Sequence, residues 1–422
     1  MKQNQRHMWQ MPWQYKESAA FVISLVSVGF ALQLTRGAFN FYLLHTPVNL
    51  IFCAAFVLAF ALCACIRKNP VIIWLSGVPL AVSLIAGLLF FSLIMGTTPQ
   101  LSQTDTHGNS LTGRLGFSRV TSAWAFVLLY FMLLVSLGLA IMRRIMQRRK
   151  RDYAFLLNHA GLWIVLAASG LGAADMQRYV MHVPRGETEW RVYNALGQPL
   201  ELPLAIKLNR FDMEEYPAKL AVIHRESGIP QPEGKSGFLQ LVPGKTQGTI
   251  ADWDISVETY LPQAVRNSNS TYRELAMPGS AQAAYVKARN KRNAEVAQGW
   301  VSGGNMSQMH MLLPLGKEYA LAMTQAEPKR FVSDITVYTR EGLENQTLLE
   351  VNKPLAIGNW MIYQYGYDAR AGRLSSYSSF DLVFDPWLYP AYFGFILMAA
   401  GAFSLVWARG KPSSSGITAN SP

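Results

Sequence analysis

Residues 153–174, YAFLLNHAGLWIVLAASGLGAA, decide how the rest of this 422-residue sequence is interpreted. The stretch is long enough to cross the ~30 Å hydrocarbon core of a bilayer, which takes about 20 residues of α-helix. The one ionisable side chain clearly inside it is His159, which at ~1.5 Å per residue lies roughly 9 Å along the helix from Tyr153. Because ionisable side chains inside a membrane are costly, the stretch predicts a transmembrane helix whose histidine is a candidate functional residue.

Five further segments are comparably apolar, so that about six transmembrane helices are predicted. The composition agrees, since 50% of the residues are hydrophobic and 15% are charged, against roughly 25% charged residues in soluble domains. The segment nearest the N-terminus is placed like a signal peptide, but no small-residue cleavage site follows it, and we interpret it as a retained helix. The five segments are roughly Ser18–Leu34, Val48–Ile66, Val71–Met95, Ser122–Met142 and Trp387–Trp407.

The uneven distribution of basic residues sets the predicted orientation. From Asp175 to Asp385 the sequence has 22 Lys and Arg against 23 Asp and Glu, so the net charge of +12 comes from short stretches that flank the apolar segments. This pattern is typical of membrane topology and argues against a nucleic-acid-binding surface. With the N-terminus inside, 13 basic residues face the cytoplasm and only Arg36, Arg114 and Arg119 lie in short outer loops, as the positive-inside rule requires.

These patterns predict a polytopic α-helical protein of the inner (cytoplasmic) membrane with a large extracytoplasmic β-rich domain between the fifth and sixth helices. Both termini are predicted to be cytoplasmic. The segments are a cytoplasmic N-terminus at 1–17, a four-helix region at 18–142, a basic cytoplasmic loop at 143–152, the fifth helix at 153–174, the β-rich domain at 175–386, the sixth helix at 387–407 and a cytoplasmic tail at 408–422.

The outer domain is predicted to be a two-layer β-sandwich, because short β-branched and aromatic runs recur between Gly, Pro and Asn. It contains no cysteine and therefore cannot depend on disulfides. The stretch Ser280–Trp300, rich in Ala, Lys and Arg, predicts a surface helix instead. The predicted strands are Leu204–Asn209, Leu220–His224, Gly237–Val242, Asp254–Tyr260, Asp334–Tyr338, Leu348–Val351, Trp360–Tyr365 and Ser379–Phe384.

The fifth helix holds the main candidate site. Burial favours the neutral imidazole of His159, which is the form that binds a metal or haem iron. Trp163 lies one turn further on the same face, where its indole could lie against a flat macrocycle, and Gly161 would let a bulky group approach the backbone. In the structural alternative, which these residue types alone favour, His159 forms a hydrogen bond between helices and Trp163 lies near the interface.

Three other patterns have a possible function beside an ordinary explanation. Met306, Met309, His310 and Met311 form a soft cluster that could bind copper or haem iron, but the adjoining leucines favour a strand that packs its Met side chains. The basic run at 143–151 anchors the topology and could attract haem propionates. A small-residue face with Gly394 and Gly401 predicts close packing of the last helix against another helix of this chain or of a partner.

Five fragments share their order, and their place relative to two apolar spans, with one known family. They are LNHAGLWIVLAASGLG (157–172), PLAIKLNRFDMEEYP (203–217), WDISVETYLP (253–262), FVSDITVY (331–338) and VNKPLAIGNWMIYQYGY (351–367). Together they resemble the ResB family, also called CcsB, of System II cytochrome c biogenesis, over about Tyr153–Arg409. The first four helices match less clearly, and no tryptophan-rich motif of the CcsA type is visible, so the resemblance is to the CcsB half alone.

The resemblance implies a cytochrome c maturation factor with no catalytic residue of its own, a subunit of a haem lyase (cytochrome c synthase) complex. Such proteins act with a CcsA-type membrane protein to move haem b outward, where it is joined to the CxxCH thiols of apocytochrome c. The family's transmembrane histidine, an axial ligand of the haem iron, maps onto His159, so that Trp163 would lie beside the haem. His45 faces outside in the predicted topology and could serve a haem at the exit side.

Two other function classes stay open. The chain could be a transporter or sensor whose extracytoplasmic β-domain binds a ligand, or a structural membrane anchor for a protein complex. A transporter typically has broken helices in repeated halves, whereas Pro79 is the one proline well inside a predicted span. An enzyme that acts alone is disfavoured, because the sequence has no nucleophile elbow, phosphate loop or zinc motif.

Overall fold

The computed structural model describes residues 9–101, 111–147, 152–193, 197–234, 237–242, 246–267 and 270–409. The first eight residues, positions 148–151 of the predicted basic loop and positions 410–422 of the predicted tail lie outside the described residues. The chain divides into two compact units. The helical unit comprises Met1–Gln177 and Phe384–Pro422, and the β unit comprises Arg178–Val383.

The described part of the helical unit contains eight α-helices, and five stretches of it are long and apolar enough to cross a membrane, where about six spans were predicted. These stretches are Tyr15–Arg36, Val78–Thr97, Leu111–Ile145, Tyr153–Ala174 and Leu388–Trp407. The helices are α1 (Tyr15–Arg36), α2 (Val48–Cys65), α3 (Pro70–Leu75), α4 (Val78–Thr97), α5 (Leu111–Arg114), α6 (Trp124–Ile145), α7 (Tyr153–Leu171) and α8 (Leu388–Arg409), with short 3-10 segments at Phe41–Leu44, Phe117–Ser122 and Gly172–Ala174.

Two predicted spans differ from the helices that form. The segment Val71–Met95 was predicted as one helix but is divided between α3 and α4, because Pro79 has no N–H for a continuous helix and occupies the first turn of α4 instead. The segment Val48–Ile66 forms α2, whose apolar part Val48–Cys63 is shorter than the five candidate spans. A membrane crossing by α2, and hence a total of six, stays a prediction.

Glycines bring α7 and α8 into backbone contact. A Cβ atom on Gly161 would lie 2.5 Å from the Gly394 carbonyl oxygen and 2.7 Å from the Met398 nitrogen, and one on Gly401 would lie 2.4 Å from the Asn158 nitrogen. Small residues permit such a close approach between helices. In a bilayer, van der Waals packing of this kind stabilises the helix pair, because lipid provides no hydrophobic driving force for association. The small-residue face predicted for the last helix is therefore confirmed, and the helix it contacts is α7.

The replacement Gly161→Leu is expected to destabilise the helical unit, because the leucine side chain would occupy the position of the α8 backbone. Overpacking of this kind typically costs about 1 to 3 kcal/mol. The midpoint of thermal unfolding in detergent is the measurement. Gly96→Leu in α4 is the matched control, since a Cβ there meets no atom within 4 Å; equal midpoints for the two variants would contradict the packing argument.

The β unit is built from seventeen strands in its described part. Each of the eight predicted strands is found within or overlapping one of them. The strands are β1 (Gln177–Pro184), β2 (Thr188–Tyr193), β3 (Pro199–Glu215), β4 (Lys219–His224), β5 (Leu239–Gln240), β6 (Gln247–Ile250), β7 (Trp253–Arg266), β8 (Tyr272–Glu274), β9 (Ala281–Asn290), β10 (Val296–Ser302), β11 (Leu313–Leu315), β12 (Tyr319–Met323), β13 (Pro328–Thr339), β14 (Glu344–Glu350), β15 (Leu355–Ile357), β16 (Trp360–Tyr367) and β17 (Tyr377–Phe384).

Hydrogen bonding divides these strands into four sheets. Their orders are β1-β17-β16-β15, β14-β13-β3-β2, β11-β12-β4-β5 and β10-β9-β7-β6, with β8 paired to β7. The last two sheets share one apolar core, in which Leu220 and Leu321 from one sheet are buried with Ile255 and Val286 from the other. The two sheets therefore bury apolar side chains in a common core, while the two-layer sandwich stays a prediction.

The predicted surface helix at Ser280–Trp300 is wrong, because the segment forms the antiparallel hairpin of β9 and β10. Val286 and Ala288 are buried, whereas Lys287 and Arg289 are exposed, so the segment alternates with the period of a strand. Its Ala and Lys content favoured a helix by propensity, but the burial of alternate positions in the core between sheets outweighs propensity.

Candidate functional site

His159 lies in α7 and forms its hydrogen bond within its own helix. Its Nδ1 atom is 3.0 Å from the carbonyl oxygen of Phe155, and the two rings stack with centroids 3.7 Å apart. Because a carbonyl oxygen can only accept, Nδ1 carries the proton and Nε2 of the neutral ring keeps its lone pair. The side chain is half-buried, so the geometry leaves a nitrogen that can bind a metal.

Arg143 and Arg144, near the N-terminal end of α7, each contact a polar partner. The Arg144 guanidinium lies 4.9 Å from the Phe155 ring centroid and donates to Asp152 Oδ1 at 3.0 Å. Arg143 donates to Ser76 Oγ at 3.0 Å. The Arg144 contacts place it against the ring on which His159 stacks and join the ends of α6 and α7, whereas the Arg143 contact joins α6 to the end of α3. Residues 148–151 of the basic run, which could attract propionates, lie outside the described part of the chain.

Trp163 lies one turn along α7 from His159 and packs between helices. Its indole N–H donates to the Leu134 carbonyl oxygen of α6 at 3.0 Å, and its ring meets Phe60 of α2 edge-on, with centroids 6.1 Å apart. Tyr130 of α6 donates to the Leu166 carbonyl oxygen at 2.6 Å. This face of α7 is therefore hydrogen-bonded to α6 through Trp163 and Tyr130.

The expectation that Gly161 would let a bulky group approach the α7 backbone is wrong. The space beside this glycine is filled by the α8 backbone at Gly394 and Met398. The sequence could not distinguish a glycine that admits a ligand from one that admits a helix. Approach to His159 from the Gly161 side is consequently closed.

A second polar cluster lies where α2 begins and α7 ends, and sequence reasoning missed most of it. The carboxylate of Asp175, which is 4% exposed, accepts hydrogen bonds from Thr46 N at 2.9 Å, Thr46 Oγ1 at 2.7 Å, Asn49 Nδ2 at 2.7 Å and Trp387 Nε1 at 2.8 Å. Burial alone would raise the pKa of Asp175, but the bonds from Thr46, Trp387 and Asn49 outweigh it and lower the pKa to about 2. Asp175 is therefore a fixed negative charge that ties three chain segments together.

His45 lies at the edge of this cluster. Its Nδ1 atom is 2.7 Å from the Thr46 carbonyl oxygen and 3.9 Å from Asp175 Oδ1, while its ring is partly exposed. As in His159, the carbonyl oxygen can only accept, so Nδ1 carries a proton. Asn49, a polar residue inside an apolar segment, is a sequence signal that could have indicated a buried network here.

The soft cluster of the β unit is arranged differently from the packed strand that was predicted. Met306 and Met309 are 75% and 79% exposed, and His310 is exposed as well. Met311 alone follows the prediction, since it pairs with Ser302 and packs against buried residues. Within the described residues, no group of three His, Cys, Asp or Glu side chains is placed to hold a metal ion.

The comparison with protein families finds a match in the β unit. A model of the ResB-like family matches residues 317–377, which include the fragments FVSDITVY and VNKPLAIGNWMIYQYGY. No curated protein matches the chain. Among solved structures, a cytochrome c heme lyase CcmF is 13% identical with a TM-score of 0.23; the alignment covers 94% of this chain and 60% of that one. The family match confirms the resemblance to ResB proteins that the sequence indicates.

Proposed function

We propose that this chain is a cytochrome c maturation factor of the ResB (CcsB) type. In this proposal it binds haem b transiently and, with a CcsA-type membrane protein, moves it across the membrane for attachment to the CxxCH thiols of apocytochrome c. The ResB-like segment at 317–377 supports the family. The haem is cargo shared with the partner, and this chain acts as a non-catalytic subunit of a haem lyase complex.

The observation that carries the proposal is the orientation of the His159 ring in α7. Its Nδ1–H is directed to Phe155, which is the arrangement that orients a ligating histidine and leaves Nε2 for iron. Trp163 is held one turn away by Leu134 and offers an aromatic surface beside the ligand. Because α8 occupies the space beside Gly161, a haem cannot approach α7 from that side. The residues of α7 that would hold the haem are therefore His159, through the haem iron, and Trp163, through its ring.

The large domain is proposed to lie outside the cytoplasm, where the attachment to apocytochrome takes place. A reporter fused after Glu258 should therefore be extracytoplasmic, and one fused after Gln147 should be cytoplasmic, because basic residues in short loops resist translocation. Alkaline phosphatase and a cytoplasm-active fluorescent protein provide opposite readouts at each site. Activity of the cytoplasmic reporter at Glu258 would overturn both the orientation and the proposed direction of haem movement.

The direct test of haem binding is the visible absorption spectrum of the purified chain. A Soret band is expected when the chain is purified with its CcsA-type partner, and it should weaken when His159 is replaced. If the unmodified chain, purified with its CcsA-type partner from cells that make cytochrome c, contains no haem, the maturation proposal fails.

A further inference from the structure

A short loop of the β unit exposes two thioethers to solvent. We define the Met loop as residues 304–310, GNMSQMH. Met306 and Met309 are more exposed than any other large hydrophobic side chain in the described part of the β unit. Such exposure forgoes the stabilisation of a buried methionine, which is typically about 1.5 to 3 kcal/mol. The loop must therefore be held in this arrangement by other contacts.

Asn305 is the first residue that holds the Met loop. Its Nδ2 donates to the carbonyl oxygens of Gly279 at 3.0 Å and Ser280 at 2.8 Å, and its Oδ1 accepts from the backbone N–H groups of Ser307 and Gln308. The side chain thus anchors the loop to a neighbouring segment and at the same time closes a turn.

Gln308 is the second residue that holds the Met loop, and both atoms of its side-chain amide form hydrogen bonds. Its Nε2 donates to the carbonyl oxygens of Ala264 at 3.0 Å and Gly279 at 2.7 Å, and its Oε1 accepts from the Arg266 N–H at 2.9 Å. The φ of Gly304 is +65°, and a Cβ there would lie 2.5 Å from the Gln308 carbonyl oxygen. The chain therefore doubles back tightly, with both amide side chains pointing inward.

Because Asn305 and Gln308 are the inward residues, the residues that follow each of them, Met306 and Met309, are held outward. His310 comes next and adds an imidazole. Two thioethers and one imidazole within five residues are ligands of a soft metal, whereas hard cations prefer carboxylates, which the Met loop lacks. We propose that the Met loop binds a soft monovalent copper ion, Cu(I), through Met306 and Met309 with His310 as the third ligand.

This site is independent of the proposed haem function, since it uses no residue of the helical unit. Its test is a titration of the full-length chain in detergent with Ag(I), a redox-stable analogue of Cu(I). Cys53, Cys63 and Cys65 are replaced by alanine beforehand, because thiolates would compete for the ion. Calorimetry measures the affinity, and NMR of methyl-labelled methionine shows which sulfurs respond.

One Ag(I) ion should bind per chain and shift the methyl signals of Met306 and Met309, while the fully buried Met181 stays unshifted. The double variant Met306→Leu/Met309→Leu should bind at least tenfold more weakly. The matched control Met176→Leu/Met277→Leu changes two partly exposed methionines elsewhere and should bind like the parent. His310→Ala should weaken binding without abolishing it.

An apolar docking surface for a protein is the competing explanation of the exposed methionines. Leucine keeps such a surface and removes the thioethers, so the leucine pair separates the two explanations. Unchanged Ag(I) affinity in the leucine variant, or no binding by the parent chain, would overturn the metal site. Circular dichroism of each variant shows that the β unit is folded.

Discussion

His159→Gly is expected to lose haem while it still inserts into the membrane. An axial ligand contributes a bond to iron that no neighbouring group of α7 replaces, so haem affinity should fall at least tenfold, which corresponds to about 1.4 kcal/mol. Cytochrome c maturation should fall with it. Insertion should be unaffected, because removal of a polar side chain from a span does not oppose it. The Soret absorbance per chain and the yield of holocytochrome are the measurements.

Adding free imidazole to the His159→Gly variant distinguishes a ligating histidine from a structural one. The glycine leaves a cavity of about the size of the missing ring, which free imidazole can enter to supply a nitrogen. The hydrogen bond that His159 makes stays within α7, to Phe155, so a purely structural role would be worth only about 1 kcal/mol and would not respond to added imidazole. Partial rescue is therefore a signature of ligation.

The control is His224→Gly, which removes a histidine from β4 in the β unit and should leave the haem content unchanged. His159→Ala with normal haem content and normal cytochrome maturation would defeat the hypothesis. In that outcome His159 returns to the structural role that its residue type alone favours.

Asp175→Ala should cause the largest loss of stability in the helical unit. The carboxylate accepts four hydrogen bonds, and its removal takes this acceptor from Thr46, the buried Asn49 and the partly buried Trp387. Thr46 Oγ1 can still donate to Asn49 Oδ1 and Asn49 Nδ2 to the Leu171 carbonyl oxygen, whereas the Thr46 N–H and the Trp387 indole N–H lose the acceptor that Asp175 provides. An unsatisfied buried donor typically costs about 1 to 3 kcal/mol, so a total loss of about 3 kcal/mol or more is expected. Asp212→Ala is the control, because its exposed ion pair with Arg210 is expected to contribute less than about 1 kcal/mol.

The same site predicts a pH dependence. The pKa of Asp175 in the folded protein is about 2, below its ordinary value of 3.8. Its contribution is therefore complete above pH 3.8 and is lost as the pH falls towards 2. The gap in thermal unfolding midpoint between the parent and Asp175→Ala should be constant from pH 7 to pH 5 and narrow below pH 4. A gap no larger than that of Asp212→Ala would contradict the assigned network.

Sequence reasoning succeeded where the physical signal is local and failed where it depends on distant contacts. The long apolar helices and the shared face of His159 and Trp163 follow from hydropathy and the helical period. Asp175 joins residues 126 to 212 positions away in the chain, and no local pattern reveals which donors meet it. The orientation is a prediction from charge, and haem binding and the partners are proposals from the resemblance.

Two errors share one cause, which is that composition was given more weight than surroundings. The hairpin at Ser280–Trp300 was predicted as a helix from its alanines, although Val286 and Ala288 alternate with basic residues as a strand does. Met306 and Met309 were predicted to pack because leucines follow them. Only the inward anchors Asn305 and Gln308, whose partners are more than 20 residues away, determine that these methionines face solvent.

The connection between α7 and α8 shows how a chain can carry a large insertion at little cost. The two helices are in backbone contact through Gly161 and Gly394, and the first and last strands of the inserted domain, β1 and β17, are neighbours in one sheet. The two ends of the inserted segment are therefore close together, because its own first and last strands pair with each other. Insertion of the domain between the two helices therefore costs little loop-closure entropy, because the ends of the inserted segment are already close together.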